Sequence, residues 1–184
     1  IGQMMEPIEW HEIPHRELPP KDWAPTGKHG RSHPNFVTSL SIDPNDCNEM
    51  NQRLARKYAL ITEKEIRYEA KDCEDAEVVL VAYGPPARVV LSAIEELRRQ
   101  GVKAGLFRPI TLWPFPEKQL HDLAGEDHVK VVVDVEMSLG QMIDDVRLAV
   151  EGQKPVKFAG VAGGLIPTVE DIVEAAKNAL KEAE

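Results

Sequence analysis

The chain has 184 residues, of which 42% are hydrophobic, so it can bury the core of one domain of ordinary size and still carry an extension. Its 31 acidic and 22 basic residues give a net charge of −9, which opposes binding to a polyanion, so we expect no nucleic acid partner. No apolar run approaches the roughly 20 residues that cross a bilayer, and the first residues lack a signal pattern, so we expect a cytoplasmic protein with no membrane partner.

The amino-terminal region, residues 1–46, is rich in proline, histidine and polar residues. Prolines interrupt helices and strands, so we predict an irregular extension over these residues. Four histidines lie in it, but an irregular segment without a nearby cysteine offers no fixed scaffold for a metal, so we assign no metal site there. Because the chain begins with Ile1 rather than methionine, we also expect further sequence upstream.

The next segment, residues 47–76, is expected to link the extension to a folded domain. Within it, residues 48–70 predict a helix that packs on the domain it introduces. The evidence is a set of apolar residues at near-helical spacing among charged ones: Met50, Leu54, Tyr58 and Ile61.

From residue 77 onward, short apolar runs alternate with segments of helical spacing. The apolar runs predict four strands, at residues 78–83, 102–107, 129–135 and 156–160. Helical spacing predicts four helices, at residues 87–100, 117–123, 140–150 and 169–183. The valine run of the third strand is apolar on both faces, which is typical of a sheet covered on both sides. We therefore predict a three-layer αβα, doubly wound domain with a mostly parallel sheet over residues 77–184.

Two segments follow strands of this sheet and are candidates for function. Residues 108–116 contain three prolines and Trp113, and proline geometry predicts a stiff, exposed loop. Residues 136–147 start the helix after the valine strand. Since both segments leave the carboxyl ends of parallel strands, they should lie on one edge of the sheet. We predict that four residues there face a neighbouring domain or subunit or support those that do: Arg108, Trp113, Glu136 and Gln141.

The second segment also has a simpler interpretation. Its carboxylates could favour the helix dipole at a solvated helix start, with Arg147 paired to Asp144 three residues earlier. Both interpretations stay open at this point.

Two motifs resemble catalytic elements but do not fit them. The turn at residues 83–87 stands where a dinucleotide fold places its phosphate loop, but Pro85 and Pro86 remove the N–H donors, so we predict a simple strand-to-helix turn. Ser138 lies between a strand and a helix, like the serine of a nucleophile elbow, but Glu136 replaces the required glycine and argues against a hydrolase. Ser138 is predicted instead to be the N-cap of the helix, with Gln141 completing a capping box.

The cysteines exclude a further class of site. Cys47 and Cys73 match no metal or redox spacing, and an iron–sulfur cluster normally takes four cysteine ligands. We therefore assign no catalytic, cofactor-binding or metal-binding residue in this chain.

Three segments carry a family resemblance: GLFRPITLWPFP at residues 105–116, VEMSLGQMIDDVR at residues 135–147 and GGLIPT at residues 163–168. Together they resemble the alpha-type subunit of the 2-oxoacid:ferredoxin oxidoreductases, in its transketolase C-terminal-like domain. The sequence GQMMEP at residues 2–7 and the form EMSLGQM look most like the branched-chain, 2-ketoisovalerate enzymes. The likeness covers nearly the whole chain and is weakest over residues 28–46.

The resemblance implies a mixed five-strand sheet and a pyrimidine-type diphosphate-binding domain upstream, from which residues 8–46 would cross. It implies a multisubunit complex that decarboxylates a 2-oxoacid on thiamine diphosphate and Mg²⁺. Electrons would pass through 4Fe–4S clusters to ferredoxin, and the acyl group to coenzyme A. This chain has no GDG motif with a later Asn, so we expect it to hold none of these cofactors, to play a positional role and to be inactive alone. The alternative is a freestanding doubly wound ligand-binding or regulatory module.

Overall fold

The computed structural model describes residues 10–183, so residues 2–7, on which part of the resemblance rests, lie outside it. The chain divides into two compact units, Ile1–Glu49 and Met50–Glu184. In the first unit, residues 10–43 form no helix or strand. Their local order includes a turn around Arg31, whose guanidinium donates to the carbonyl oxygen of Gly27 at 2.7 Å.

Helix α1 spans Pro44–Lys64. The carboxylate of Asp43 accepts the N–H groups of Asn45 and Asp46 at 2.9 and 3.1 Å, and Pro44 follows it in the first turn, where no N–H is needed. The predicted helix over residues 48–70 is therefore wrong at both ends. It starts later than α1, because this Asp-Pro start signal was missed, and it runs into a strand.

That strand is the first of five in the sheet. The strands are β1 (Tyr68–Lys71), β2 (Val78–Val81), β3 (Ala104–Pro109), β4 (Val131–Glu136) and β5 (Val156–Gly160). Their order is β1-β3-β2-β4-β5. β1 is antiparallel to β3, and all other neighbours are parallel. The predicted mostly parallel sheet is confirmed.

Helices cover both faces of the sheet. Helices α2 (Gly84–Arg99) and α5 (Val169–Ala183) pack together on one face, and α3 (Glu117–Ala124) and α4 (Met142–Val150) on the other. Alternate residues of β2 feed the two cores, with Leu80 in the first and Val81 in the second. Full burial of each such side chain contributes about 1.5–3 kcal/mol. The three-layer αβα architecture is confirmed.

The proline turn after β2 does not form a phosphate loop. α2 already begins at Gly84, three residues before the predicted start, and Pro85 and Pro86 occupy its first turn. A proline there loses no helical hydrogen bond, so the two prolines help to start the helix and provide no N–H donor for a phosphate.

Candidate functional site at the carboxyl edge of the sheet

The two candidate segments leave the same edge of the sheet. β3 and β4 flank β2, and all three strands run parallel. The segments that follow β3 and β4 therefore emerge side by side, as the strand order requires. The end of β5 and the segment after it lie at this carboxyl edge as well.

The sequence analysis placed Arg108 in the loop after the second predicted strand. In the structure Arg108 belongs to β3 itself. It lies opposite Glu69 in the antiparallel pairing with β1, and its Nη1 donates to the Glu69 carboxylate at 3.0 Å. Both side chains are exposed, so this ion pair contributes about 1 kcal/mol or less.

Trp113 lies in the proline loop with 61% of its surface exposed. Its ring meets Tyr58 of α1 edge to face, with 5.3 Å between centroids. A cavity of about 270 Å³ separates this loop from the ends of α1 and α4. Its lining includes Thr62, Ile66, Leu112, Trp113, Phe115 and Asp145. The loop thus contacts α1 through Trp113 while the indole remains largely open to solvent.

Glu136, by contrast, points into the protein, with only 2% of its surface exposed. Its carboxylate accepts the Ser138 hydroxyl at 2.8 Å, the Ile143 N–H at 3.0 Å, and the Gln141 N–H at 3.0 and 3.1 Å from its two oxygens. Glu136 therefore satisfies the free amides at the start of α4. A direct contact between this side chain and a partner would require the segment to open.

The predicted Ser138 N-cap is wrong. α4 begins at Met142, and Gln141 occupies the N-cap position without a side-chain capping bond. The Ser138 hydroxyl instead accepts the N–H of Gly140 at 2.9 Å while it donates to Glu136. Glu136 takes the capping role that was predicted for Ser138, because its longer side chain reaches the amides of Gln141 and Ile143 from the end of β4.

Asp134 is a second buried acid, two residues earlier on the same face of β4, and its side chain is 0% exposed. Burial raises the pKa of Asp134 to about 9, and the neighbouring Glu136 adds to this effect, while Arg147 opposes it. Neither carboxyl oxygen of Asp134 has a hydrogen-bond partner within residues 10–183. Glu136 therefore acts on Asp134 through its nearby negative charge. Asp134 is therefore neutral at pH 7.

Glu136 behaves in the opposite way. Burial alone would raise the pKa of Glu136, but interactions with Asp134, Ser138 and the amides of Gln141 and Ile143 together hold that pKa below its usual value. Hydrogen bonding to the charged form outweighs burial here. Two acids two residues apart thus carry different charges.

The segment between β4 and α4, residues 137–141, passes close to the end of β5. Gly160 at the end of β5 leaves room for it, since a Cβ there would lie 2.6 Å from the Ser138 carbonyl oxygen. Gly140 takes a φ of +107°, which favours glycine. The tip carries Leu139, which is 86% exposed, beside the exposed Gln141.

Sequence reasoning missed Asp134 and Leu139. An acid inside a valine run was the available signal for Asp134. For Leu139, it was an apolar residue between two turn residues. The simpler interpretation of the segment is right about its ion pair, because Arg147 lies 3.5 Å from Asp144 at i, i+3.

The described residues offer no grouped ligands for a metal ion or an iron–sulfur cluster. Cys73 is buried, and burial raises the pKa of its thiol to about 12, whereas an iron–sulfur cluster normally takes four cysteine thiolates. Cys47 is the one other cysteine of the chain. Across residues 10–183, no three His, Cys, Asp or Glu side chains are grouped so that they could hold a metal ion. No helix in the same range is long and apolar enough to cross a membrane.

Comparison with known proteins identifies the family. A family model described as pyruvate:ferredoxin oxidoreductase core domain II matches residues 76–172. The ketoisovalerate oxidoreductase subunit VorB of Methanothermobacter thermautotrophicus is 41% identical over 174 residues, which cover 95% of this chain and 48% of the relative. The 2-oxoglutarate synthase subunit KorA of Methanothermobacter marburgensis is 32% identical over 131 residues, which cover 71% of this chain and 34% of the relative. The chain spans about half the length of the first of these relatives.

Two solved structures share the fold. The 2-oxoglutarate:ferredoxin oxidoreductase from Magnetococcus marinus superposes with a TM-score of 0.60 at 20% identity, over 84% of this chain and 26% of that one. A split-gene transketolase superposes with a TM-score of 0.54 at 23% identity, over 64% of this chain and 42% of that one. At these identities the likeness concerns the fold, and it confirms the transketolase-like architecture. From the family match and the 41% identity, this chain belongs to the 2-oxoacid:ferredoxin oxidoreductase family.

Proposed function

We propose that this chain is the core domain II part of an alpha-type subunit in a 2-oxoacid:ferredoxin oxidoreductase complex. The complex would oxidatively decarboxylate 2-oxoisovalerate to an acyl-CoA and reduce ferredoxin. The observation that carries this proposal is the 41% identity to the ketoisovalerate oxidoreductase subunit over 95% of the chain. Ferredoxin, coenzyme A and the other subunits are partners of the whole complex.

The cofactors would lie elsewhere in that complex. Thiamine diphosphate bound through Mg²⁺ needs oxygen ligands, and a 4Fe–4S cluster needs thiolates. The described residues supply neither set, since they contain no metal-binding group and Cys73 is a buried thiol. This chain would therefore carry out no catalytic step itself.

Its role would be positional. The domain has a core on each face of its sheet and a carboxyl edge that carries exposed apolar side chains. They come from the segments after three parallel strands: Ile110, Leu112, Trp113, Met137, Leu139, Leu165 and Ile166. Apolar residues that converge on one edge are typical of a protein–protein contact.

Three of the four sequence candidates suit such a contact. Arg108, Trp113 and Gln141 are open at the edge and can meet a neighbouring domain or subunit. Glu136 would act indirectly, by holding the segment that carries Gln141. Residues 1–46 would cross from an upstream pyrimidine-binding domain, and residues 47–76 would link them to the domain of residues 77–184.

The test is anaerobic purification of the tagged full-length chain from its source cells, followed by iron and thiamine diphosphate analysis. Reduction of a viologen dye is then measured with coenzyme A and 2-oxoisovalerate, pyruvate or 2-oxoglutarate, with the isolated 184-residue chain as control. We expect copurifying subunits, bound cofactors and highest activity with 2-oxoisovalerate, and none from the control. A lone chain without iron, thiamine diphosphate or activity would overturn the proposal and favour a freestanding ligand-binding module.

A further inference from the structure

The valine strand β4 contains two buried acids. Asp134 and Glu136 are the buried charged residues found within residues 10–183, at 0% and 2% exposure. They share one face of the strand, against α4. Two ionised carboxylates in such a place need cations or donors, because removing charge from water is costly.

The surroundings satisfy one negative charge and not two. At the register of Asp134, the neighbours on β2 and β5 are Val81 and Phe158. Within the described residues, the charged groups that act on Asp134 are Glu136 and Arg147, and Arg147 also lies by Asp144. One hydroxyl and two backbone amides donate to Glu136, whereas Asp134 has no hydrogen-bond partner within the described residues. This arrangement suits an ionised Glu136 beside a protonated Asp134.

The ionised carboxylate organises the exposed segment. It binds the amides of Gln141 and Ile143 on one side of the tip and the hydroxyl of Ser138 on the other. Leu139, between them, is held away from the core at 86% exposure. Because a flexible segment could turn an apolar side chain inward, its fixed outward position depends on these bonds.

We propose that Asp134 and Glu136 are positioning residues, a buried pair that carries one proton, and that the ionised Glu136 fixes residues 137–141 so that Leu139 is presented to another polypeptide of the oxidoreductase complex. The docking part rests on the proposed function. The partner surface would be an apolar pocket with a basic side chain at its rim, because Leu139 is followed by the exposed acid Asp145, while the charge of Asp144 is paired with Arg147.

The shared proton is tested directly by carbon-13 NMR of the side-chain carboxyls in the 184-residue chain. At pH 7 we expect the Asp134 carboxyl carbon to show the shift of a protonated acid and that of Glu136 the shift of a carboxylate. In Glu136→Gln, the Asp134 resonance should titrate at lower pH, because the neighbouring charge is gone. Two ionised carboxyls at pH 7 would overturn the one-proton pair.

Positioning is tested by amide hydrogen exchange in the same chain. We expect Glu136→Gln to accelerate exchange at Gln141 and Ile143 at least tenfold, and Asp134→Asn, which keeps a neutral donor, to change it less than threefold. Protection at Leu80 in β2 reports whether the fold is intact. If Glu136→Gln unfolds the chain, Ser138→Ala, which removes the hydroxyl that accepts the Gly140 N–H and donates to Glu136, should still accelerate exchange at Gly140. Unchanged exchange at these amides would overturn the positioning role.

Docking is tested with the full-length subunit co-expressed with its partner subunits. Leu139→Ser should weaken subunit association at least tenfold. The matched control is Leu148→Ser, since Leu148 is also exposed, at 69%, but lies in α4 away from the tip, and it should have no effect. Equal association of both variants would overturn the docking role. If the unaltered subunit captures no partner, the proposed function itself fails, and the NMR and exchange results still decide the carboxyl pair.

Discussion

Replacing Asp134 with asparagine should remove a pH dependence from the free energy of unfolding. The pKa of Asp134 is about 9 in the folded chain, against an ordinary value of 3.8. Between these values the folded state binds one more proton than the unfolded state, so stability is greatest at low pH and falls as pH rises. The slope is about 1.4 kcal/mol per pH unit, which gives at most about 4 kcal/mol between pH 5.5 and 8.5. An asparagine side chain cannot titrate, so Asp134→Asn should lack this loss.

The assay is urea unfolding of both chains at pH 5.5, 7.0 and 8.5, followed by circular dichroism. Other acids do not mask the effect in this window. The pKa of Glu136 lies below its usual range, so Glu136 is ionised throughout. Burial raises the pKa of the Cys73 thiol to about 12, and since both chains contain this thiol, its effect cancels in the difference between them. The stability advantage of the variant should grow steadily with pH. An advantage that is constant within about 1 kcal/mol would show that Asp134 is ionised in the folded state and refute the reasoning.

Further substitutions test packing contacts at both ends of the sheet. Gly105→Ala should lower the free energy of unfolding by about 1–3 kcal/mol, because the added Cβ would lie 2.6 Å from the Asp72 carbonyl oxygen; an unchanged urea midpoint would contradict this. Arg98→Ala should lower the free energy of unfolding by about 2 kcal/mol, because the Arg98 guanidinium binds two backbone carbonyls and a carboxylate. The control is Arg99→Ala, which removes a surface ion pair and should lower the free energy of unfolding by about 0.5 kcal/mol or less in the same assay. Trp113→Ala removes the ring contact with Tyr58, so it should lower the free energy of unfolding by about 1 kcal/mol and accelerate amide exchange in the second half of α1. Unchanged exchange in α1 would argue against that contact.

The sequence predicted the central strands well because their signal is local. β2 and β4 are short, rich in valine and buried on both faces, which is typical of the central strands of a covered sheet. β1 was missed because all four of its residues are exposed, so the pattern of Tyr68–Lys71 carries no strand signal. The strand exists because β3 pairs with it and Phe107 stacks on Tyr68, with 5.3 Å between ring centroids. Such a partner is distant in sequence, and a local pattern cannot show it.

The candidate site was predicted in place but not in detail. Strand order alone brings the segments after β3 and β4 to one edge, so their location followed from topology. The inward direction of the Glu136 side chain did not follow from topology, because a capping serine and a capping glutamate are both compatible with the sequence between β4 and α4. The period of two along a strand could have settled it, since Glu136 shares the buried face of Val132 and Asp134.

From the acid pair we infer that the carboxyl edge of this domain serves a contact with another polypeptide and not only the stability of the fold. A neutral apolar residue at position 134 would avoid the burial of a carboxyl, and well-packed apolar replacements of buried charged groups are often neutral or stabilising. Glu136 could likewise be exchanged for a capping serine or aspartate nearer the helix, which satisfies amides without burying a charge in the sheet. What the pair provides, and a simple cap does not, is an anchor that reaches both sides of one exposed tip from the rigid centre of the sheet. An anchor of that kind has a use where the position of Leu139 matters to another molecule.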